Sequence, residues 1–301
     1  MLLAPKDFVR SEEALARRYS REEAEAYTRA LARAHYENFH VATLLLPRRL
    51  RQEFYNVYAF CRWADDLGDE IGDPAESLRL LSWWRGELEA MYAGTLRHPV
   101  FVVLRGTVQR HGLPVEPFAD LIRAFEQDQR VTRYRDWEEL YGYCRYSANP
   151  VGRLVLYLCG YRDEERRQLS DATCTALQLA NFWQDVAADL DRGRVYLPLE
   201  LLERHGCAVE EVLARRATPP FRTAVREAVE VARHWFGRGL PLARMVKRRL
   251  AVDIELFSRG GLRILDKIAE QDYDVLSRRP VIGRLERVRL LLGTLLRAMR
   301  A

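Results

Sequence analysis

The chain has 301 residues, of which 48% are hydrophobic and 30% are charged, as in an ordinary soluble globular protein. The formal net charge is +5, but the arginines that supply most of the positive charge are interspersed with acids, so we expect no nucleic-acid partner. Five scattered cysteines without a CxxC pair indicate neither a zinc site nor a disulfide framework. The sequence also lacks a long apolar run at its start or elsewhere, so we expect a cytoplasmic protein.

Hydrophobic spacing near the helical period, interrupted by glycine and proline, predicts helices along the chain. After a polar first segment at 1–20, which we expect to be loose, the predicted helices are 21–35, 48–69, 75–93, 100–111, 116–129, 137–147, 151–160, 164–190, 199–205, 209–215, 220–237, 241–271 and 281–300. Alternating strand patterns are missing. The pattern favours an all-α fold, and the lack of a Pro/Gly/Ser-rich linker predicts one domain over 1–301.

The most informative stretch is QLANFWQDVAADLDRGRVYLP, at 178–198. On a helix, the polar residues of this stretch share one face, because they are spaced by three, four and four residues. They are Gln178, Asn181, Asp185 and Asp189. Two acids four residues apart repel each other unless a cation lies between them. The alternative interpretation is a polar seam satisfied by arginines of neighbouring helices.

A similar acid pair occurs upstream in RWADDLGDE, where Asp65 and Asp69 are four residues apart and Asp66 lies beside them. Large apolar residues precede these acids on the same helix, which predicts burial, and buried carboxylates need a partner. Mg²⁺ binds one or two carboxylates together with waters and substrate phosphates. Two such helices facing each other therefore predict a magnesium site. A solvated acidic helix end is the alternative.

Other candidate residues are single side chains. Arg192 and Arg194 follow the second acid pair, where they can bind phosphate oxygens in a bidentate manner or simply balance the aspartates. Arg62 lies one turn before the first pair. Packing or capping explains His35 and Arg62 as well as chemistry does, and a tyrosine such as Tyr143 is more often a core aromatic residue with a satisfied hydroxyl group. The sequence contains no HExxH motif and no recognisable Ser-His-Asp or Cys-His arrangement.

The two acidic motifs resemble a known family. YAFCRWADDLGDE and LQLANFWQDVAADLDRGRVYLP are similar to the two aspartate-rich signatures of the squalene/phytoene synthases, in the same order. The resemblance runs from residue 35 to residue 198, with a weaker tail at 253–268. It implies the isoprenoid-synthase helical fold, with a central cavity between two aspartate-rich helices.

The resemblance also implies roles for individual residues. The expected magnesium ligands are Asp65, Asp66, Asp69, Asn181, Asp185 and Asp189, and four of these, Asp65, Asp69, Asp185 and Asp189, are also expected to be catalytic. The residues expected to bind the diphosphate substrate are His35, Asn38, Arg62, Gln178, Asn181, Arg192, Arg194 and Tyr196. Tyr143 matches a tyrosine proposed to transfer a proton or steer the carbocation.

The chain departs from the family pattern in three places. It has YCRYSANPVG where many members have YCxxVAGxVG, so a polar Asn149 stands where the resemblance places the reacting carbons, and this amide can hold a water. Tyr36 and Asn38 replace serines before Phe39. Gly261 stands near the tail motif where an aromatic residue is expected. The HYENF and SANPVG variants resemble the hydroxysqualene synthase branch of the family.

That branch implies an Mg²⁺-dependent lyase that ionises presqualene diphosphate, rearranges the cation and adds water, without NADPH. The products are hydroxysqualene and diphosphate, in squalene and hopanoid synthesis. The implied partners are a presqualene diphosphate synthase and a squalene-forming reductase. The alternatives are condensation of two farnesyl diphosphates, phytoene synthesis, and a non-catalytic assembly factor, which the intact acids disfavour.

The last predicted helix, RLERVRLLLGTLLRAMRA at 284–301, has leucines at near-helical spacing with arginines between them. It predicts either a peripheral contact with the anionic inner face of a membrane or a final core helix with a basic outer face. The sequence alone leaves both interpretations open.

Overall fold

Helices make up almost all the regular structure of this computed structural model, which describes residues 3–34 and 48–300. In chain order the helices are α1 Pro5–Phe8, α2 Glu12–Ala16, α3 Arg21–Ala34, α4 Arg48–Asp69, α5 Pro74–Ala93, α6 Pro99–His111, α7 Glu116–Asp128, α8 Trp137–Ser147, α9 Asn149–Leu158, α10 Glu164–Asp191, α11 Leu199–Arg204, α12 Val209–Leu213, α13 Pro219–Gly239, a 3₁₀ helix Leu240–Arg244, α14 Arg248–Glu270 and α15 Arg284–Arg300. Within the described ranges there is no strand, only an isolated bridge between Arg133 and Val195. The predicted all-α fold is confirmed.

The first of two compact units contains the described residues up to Arg130 together with Pro150–Arg162. Its centre is α4, which packs against α3, α5, α6 and α7. The core is aromatic, and the indole rings of Trp63 and Trp84 stack with their centroids 4.9 Å apart. Gly68 allows close packing, because a Cβ at this position would lie 3.3 Å from Phe125.

The beginning of the chain differs from the loose segment that we expected at 1–20. Residues 3–20 include the short helices α1 and α2, and Phe8 is only 3% exposed. The Phe8 ring meets the edge of the Trp63 indole with a centroid separation of 5.2 Å. One buried aromatic residue therefore attaches a mostly polar segment to the core, an arrangement that periodicity does not reveal.

The second unit contains Val131–Asn149 and Asp163 onward. Its central element is α10, a helix of 28 residues that packs against α8, α13 and α14, while α15 packs on α14. Gly239 brings α13 close to α10, because a Cβ there would lie 2.9 Å from the backbone nitrogen of Thr173. The expectation of a single domain over 1–301, and of a cavity between the two aspartate-rich helices, stays a prediction.

The helix predicted at 241–271 is two elements. Pro241 lacks the N–H that would continue the α-helical ladder of α13, and the chain tightens into the 3₁₀ helix Leu240–Arg244. Lys247 then has an extended backbone, with ψ at 142°, and α14 begins at the next residue. The prediction of one continuous helix was therefore wrong.

Gly261, the departure from the expected aromatic, lies against the ring of Phe236 on α13. A Cβ on residue 261 would overlap Phe236 Cζ and lie 3.1 Å from both Cε atoms. Phe236 is 1% exposed. The ring of Phe236 on α13 therefore fills the space beside residue 261 on α14, where the family pattern has an aromatic side chain.

Across the described residues, none of the helices combines the length and the apolar character that crossing a bilayer requires.

Candidate active site

The first acidic cluster lies at the C-terminal end of α4 and is organised by one arginine. Arg62 is placed one helical turn before the acids, and its guanidinium pairs with Asp65 at 3.1 Å, with Glu70 at 3.0 Å, and with Asp66. Spacings of three and four residues bring these groups to one face of the helix. The structure therefore brings together Arg62, Asp65 and Asp66 as predicted, and adds Glu70, which sequence reasoning did not include in the site.

The carboxylates of this cluster differ in their exposure. Asp66 is 2% exposed, whereas the Asp65 side chain is 40% exposed. Burial raises the pKa of Asp66 to about 7, although the nearby Arg62 opposes the shift. Asp69 occupies the last position of α4. Asp65 is thus accessible to a ligand, while Asp66 helps to hold Arg62 in place.

The second acidic cluster lies on α10, whose unbroken course puts the predicted polar stripe on one face. Gln178, Asp185 and Asp189 are half-buried, and Asn181 is exposed. The other faces of this helix are packed, and its largest buried side chains are Phe182 and Trp183. The stripe is therefore more accessible than the face that carries Phe182 and Trp183.

Asp185 has an arginine partner that the sequence did not suggest. The Arg279 guanidinium binds both carboxylate oxygens of Asp185, with Nη2 3.1 Å from Oδ2 and Nε donating to Oδ1. The next residue, Pro280, accepts a 2.7 Å hydrogen bond from Gln184 Nε2, so the segment is fixed at two adjacent points on α10. Arg279 lies between α14 and α15, where periodicity carries no signal. The only sequence feature that marks this segment is its pair of adjacent arginines, in SRRPV at 277–281.

The turn after α10 separates the two predicted arginines. Gly193 adopts a left-handed conformation with φ at 71°, and the backbone N–H of Arg194 then donates to the Asp189 carbonyl at 2.9 Å. As a result Arg192 is exposed, whereas Arg194 is 9% exposed. The Val195 N–H donates to the Thr132 carbonyl at 2.9 Å, which fixes the direction of the chain beyond the turn.

Tyr143 and Tyr196 belong to one buried aromatic group. The Tyr196 ring stacks on Phe182 at 3.9 Å between centroids, with only 11° between the ring planes. Tyr143 is 5.8 Å from Tyr196, and Tyr134 completes the group at 5.5 Å from Tyr143. Phe182 directly follows Asn181 on α10. The packed faces beside the polar stripe therefore carry the aromatic π-systems that can stabilise a cation.

Asn149 is buried and paired with a hydroxyl group. It is 7% exposed at the first position of α9, and its Oδ1 accepts a 3.0 Å hydrogen bond from Thr175 Oγ1. Thr175 lies three residues before Gln178 on α10 and is 3% exposed. An amide and a hydroxyl are thus placed side by side next to the start of the polar stripe. Two further predicted residues, His35 and Asn38, lie outside the described residues.

The donors in both clusters fit a divalent cation. Over residues 3–34 and 48–300, no group of three or more His, Cys, Asp or Glu side chains is gathered as a ready metal site. However, each cluster offers carboxylate oxygens, the ligands that Mg²⁺ prefers, and each holds an arginine cation against an acid. Arg62 contributes positive charge beside Asp65 and Asp66, and Arg279 contributes it beside Asp185.

Comparison with known proteins supports the fold, and the family match spans both acidic motifs. The family model for squalene/phytoene synthase matches residues 32–286. The crystal structure of squalene synthase HpnC from Alicyclobacillus acidocaldarius is 46% identical and has a TM-score of 0.80, covering 84% of this chain and 95% of that chain. A dehydrosqualene synthase structure is 23% identical with a TM-score of 0.84, covering 93% of this chain and 98% of its own, and supports the fold.

Two curated relatives are equally similar to this chain in sequence identity, but they are named as different enzymes. Hydroxysqualene synthase of Rhodopseudomonas palustris is 34% identical over 239 residues, which cover 78% of this chain and 80% of that protein. Phytoene synthase of Thermus thermophilus is 34% identical over 261 residues, which cover 86% of this chain and 88% of that protein. The chain belongs to the squalene/phytoene synthase family. It therefore has the fold of the isoprenoid synthases and belongs to a class of enzymes that act on prenyl diphosphates.

Proposed function

We propose that this protein is an Mg²⁺-dependent hydroxysqualene synthase, a lyase that acts on presqualene diphosphate in squalene and hopanoid synthesis. In this reaction the carbon–oxygen bond to the diphosphate breaks, and the bonding electrons leave with the diphosphate. The cyclopropylcarbinyl cation rearranges, and a water oxygen bonds to the new cationic carbon. The water then loses a proton, so presqualene diphosphate and water give hydroxysqualene, diphosphate and a proton. No reductant is consumed.

The two acidic clusters would serve the leaving group. Mg²⁺ would be held by Asp65, Asp66, Asp69, Asn181, Asp185 and Asp189, and when bound it neutralises charge that develops on the departing diphosphate. The chain's own cations have the same effect, since Arg62 and Arg279 already lie against the acids. The proposed diphosphate-binding set is completed by Gln178, Arg192, Arg194 and Tyr196, together with His35 and Asn38, which lie outside the described residues.

The aromatic group around Tyr196 would handle the cation. Tyr143, Phe182 and Tyr196 present ring faces and edges that stabilise positive charge without acting as nucleophiles. Tyr143 also carries a hydroxyl group that can steer the cation or take part in proton transfer. Water must be kept away until the rearrangement is complete, and buried rings exclude it.

The observation that carries the choice of product is the buried pair of Asn149 and Thr175. An amide and a hydroxyl that are hydrogen-bonded to each other at 3.0 Å retain further donor and acceptor capacity, which can hold a single water. A family member whose product is a hydrocarbon has no use for such a water. The 34% identity with the hydroxysqualene synthase of Rhodopseudomonas palustris also supports this choice. The 34% identity with a phytoene synthase favours the rival, condensation of two prenyl diphosphates.

A panel of substrates separates these functions. Purified protein is incubated with Mg²⁺ and without NADPH, using presqualene diphosphate, farnesyl diphosphate or geranylgeranyl diphosphate in separate reactions. Hydroxysqualene formed only from presqualene diphosphate is expected. Presqualene diphosphate or dehydrosqualene made from farnesyl diphosphate, or phytoene made from geranylgeranyl diphosphate, would contradict the proposal in favour of condensation.

The role of Asn149 is tested in the same assay. Asn149→Ala removes the amide, and Thr175→Val removes the hydroxyl group with little change in volume. Both variants are expected to divert product from the alcohol towards hydrocarbons. If both kept the wild-type alcohol yield and regiochemistry, the assignment of the water to this pair would be withdrawn, while the assignment of the substrate would stand.

A further inference from the structure

The outer face of α15 exposes several large apolar side chains. Four large apolar side chains on this helix are more than half exposed: Leu285 at 77%, Val288 at 53%, Leu292 at 54% and Leu296 at 51%. At 100° per residue they fall within an arc of about 80° and extend over roughly three turns. We call these four residues the outer stripe. Arginines of α15 are exposed as well, so the choice between the two interpretations that the sequence left open stays a prediction.

The opposite face of α15 is attached to α14 by polar contacts. Glu286 Oε1 lies 2.7 Å from Arg263 Nη2 and 3.1 Å from Lys267 Nζ. One further bond joins the two helices, in which Arg259 Nη1 donates to Thr294 Oγ1 at 2.8 Å. These partners hold the pKa of Glu286 down at about 2, so the anchor remains charged at any physiological pH. The direction of the outer stripe is therefore fixed.

This arrangement differs from that of an ordinary surface helix, which turns its apolar side inward and mainly charged side chains to solvent. An exposed contiguous apolar patch of this kind marks a contact surface. On the helical wheel the outer stripe is bordered by Arg284 on one side and Arg289 on the other, both exposed. The acid in this helix, Glu286, points to α14 and is paired there with Arg263 and Lys267.

We propose that the outer stripe and its two bordering arginines form a docking surface for an anionic lipid bilayer, with α15 lying in the plane of the interface. Apolar side chains then enter the acyl region while the guanidinium groups stay among the phosphates. Charge complementarity decides against a second copy of this chain as the occupant. If two copies of the surface faced each other, Arg284 and Arg289 would lie near the arginines of the other copy and be repelled. Lipid phosphates are negatively charged and would attract them. The inference does not depend on which prenyl diphosphate the enzyme uses.

Flotation of the full chain with vesicles tests this proposal. Vesicles of phosphatidylcholine with phosphatidylglycerol are compared with pure phosphatidylcholine vesicles. The wild type is expected to float with the anionic vesicles and to be released by salt. Leu285→Ser/Leu292→Ser is expected to lower the partition coefficient at least about tenfold, because each leucine favours binding when its side chain is buried among the acyl chains. Arg284→Gln/Arg289→Gln should abolish the preference for anionic vesicles.

Leu213→Ser is the matched control, because Leu213 is 46% exposed on another helix of the same unit. It should float like the wild type. The proposal is overturned if the wild type does not float, or if the outer-stripe variant floats as well as the control. Light scattering provides the remaining outcome. If the wild type does not bind vesicles but forms a dimer, and if Leu285→Ser/Leu292→Ser dissociates that dimer, the surface would be assigned to contact with a second copy instead.

Discussion

The Arg279 guanidinium donates hydrogen bonds to both carboxylate oxygens of Asp185. This contact joins the loop between α14 and α15 to the second acidic motif. The side chain of Arg279 is 53% exposed, so the pair contributes little to folding stability. We propose that Arg279 acts in the reaction instead. A cation held against a predicted magnesium ligand can transfer to the oxygens of a diphosphate when the substrate arrives.

Replacing Arg279 by alanine should therefore impair catalysis more than stability. Loss of a charge-assisted contact of about 1.5–3 kcal/mol corresponds to roughly a 10–100-fold fall in kcat/KM. Arg278→Ala is the matched control, since it removes the same charge one residue away. Steady-state kinetics would show the difference, and equal kinetics for the two variants would exclude a specific role for Arg279.

Asp65→Asn and Asp185→Asn, made separately, should each lower turnover at least about a hundredfold. An amide keeps the shape of the side chain but loses the negative charge that a divalent cation requires. Circular dichroism at helical wavelengths should remain unchanged, because both side chains are partly exposed. Full activity of the wild type in EDTA would contradict a metal-dependent mechanism outright.

Gly261→Ala should destabilise the second unit by about 1–3 kcal/mol, because the added methyl group overlaps the Phe236 ring in a packed core. Gly260→Ala makes an informative control. A Cβ at that position meets nothing within 4 Å, so alanine in the same helix should stabilise by about 0.5–1 kcal/mol. Urea denaturation of both variants measures the two values, and a neutral Gly261→Ala would show that α13 and α14 are less closely packed.

Asp253 predicts a pH dependence of stability. It is 4% exposed, neither carboxyl oxygen has a hydrogen-bond partner among the described residues, and burial raises the pKa of Asp253 to about 8. Below an unfolded-state pKa of about 3.9, both states carry the proton. Between that pH and about 8, the folded protein keeps a proton that the unfolded chain releases. Stability should thus fall as pH rises, by up to about 1.4 kcal/mol per pH unit from this group.

Asp253→Asn should remove this component, so that the variant gains stability over the wild type as pH increases from 4 to 8. Urea denaturation at several pH values gives the slope. Glu255→Gln, on the same helix, is the matched control and should keep the wild-type slope. An unchanged slope in Asp253→Asn would show that the buried acid has a partner in solution.

The sequence predicted most helix ends because local signals decide them. Pro74 and Gly94, for example, begin and close α5. It also placed the acids of each motif on a common helical face, since spacing alone determines that geometry. It did not find the Asp185–Arg279 pair, whose members are 94 residues apart, because no local rule relates such positions. For the same reason the sequence did not predict the contact of Phe8 with Trp63 or the close approach of Phe236 to Gly261.

The outer face of α15 shows a different limit. Leucines and arginines alternate around this helix in a way that fits a core helix or an interfacial one equally well. The structure shows which face is outside, because Glu286 and Thr294 contact α14, whereas Leu285 and Leu292 are exposed. Partners supplied by another helix therefore determine which side of an ambiguous helix is exposed.

The most direct test of the proposed reaction is isotopic labelling with purified enzyme, Mg²⁺ and presqualene diphosphate in ¹⁸O-water. Because we propose that the carbon–oxygen bond breaks and water attacks the rearranged carbocation, the C30 alcohol should be hydroxysqualene carrying one ¹⁸O, with one diphosphate released per molecule. Unlabelled presqualene alcohol would indicate cleavage at phosphorus. That result, or no alcohol at all, would contradict the account.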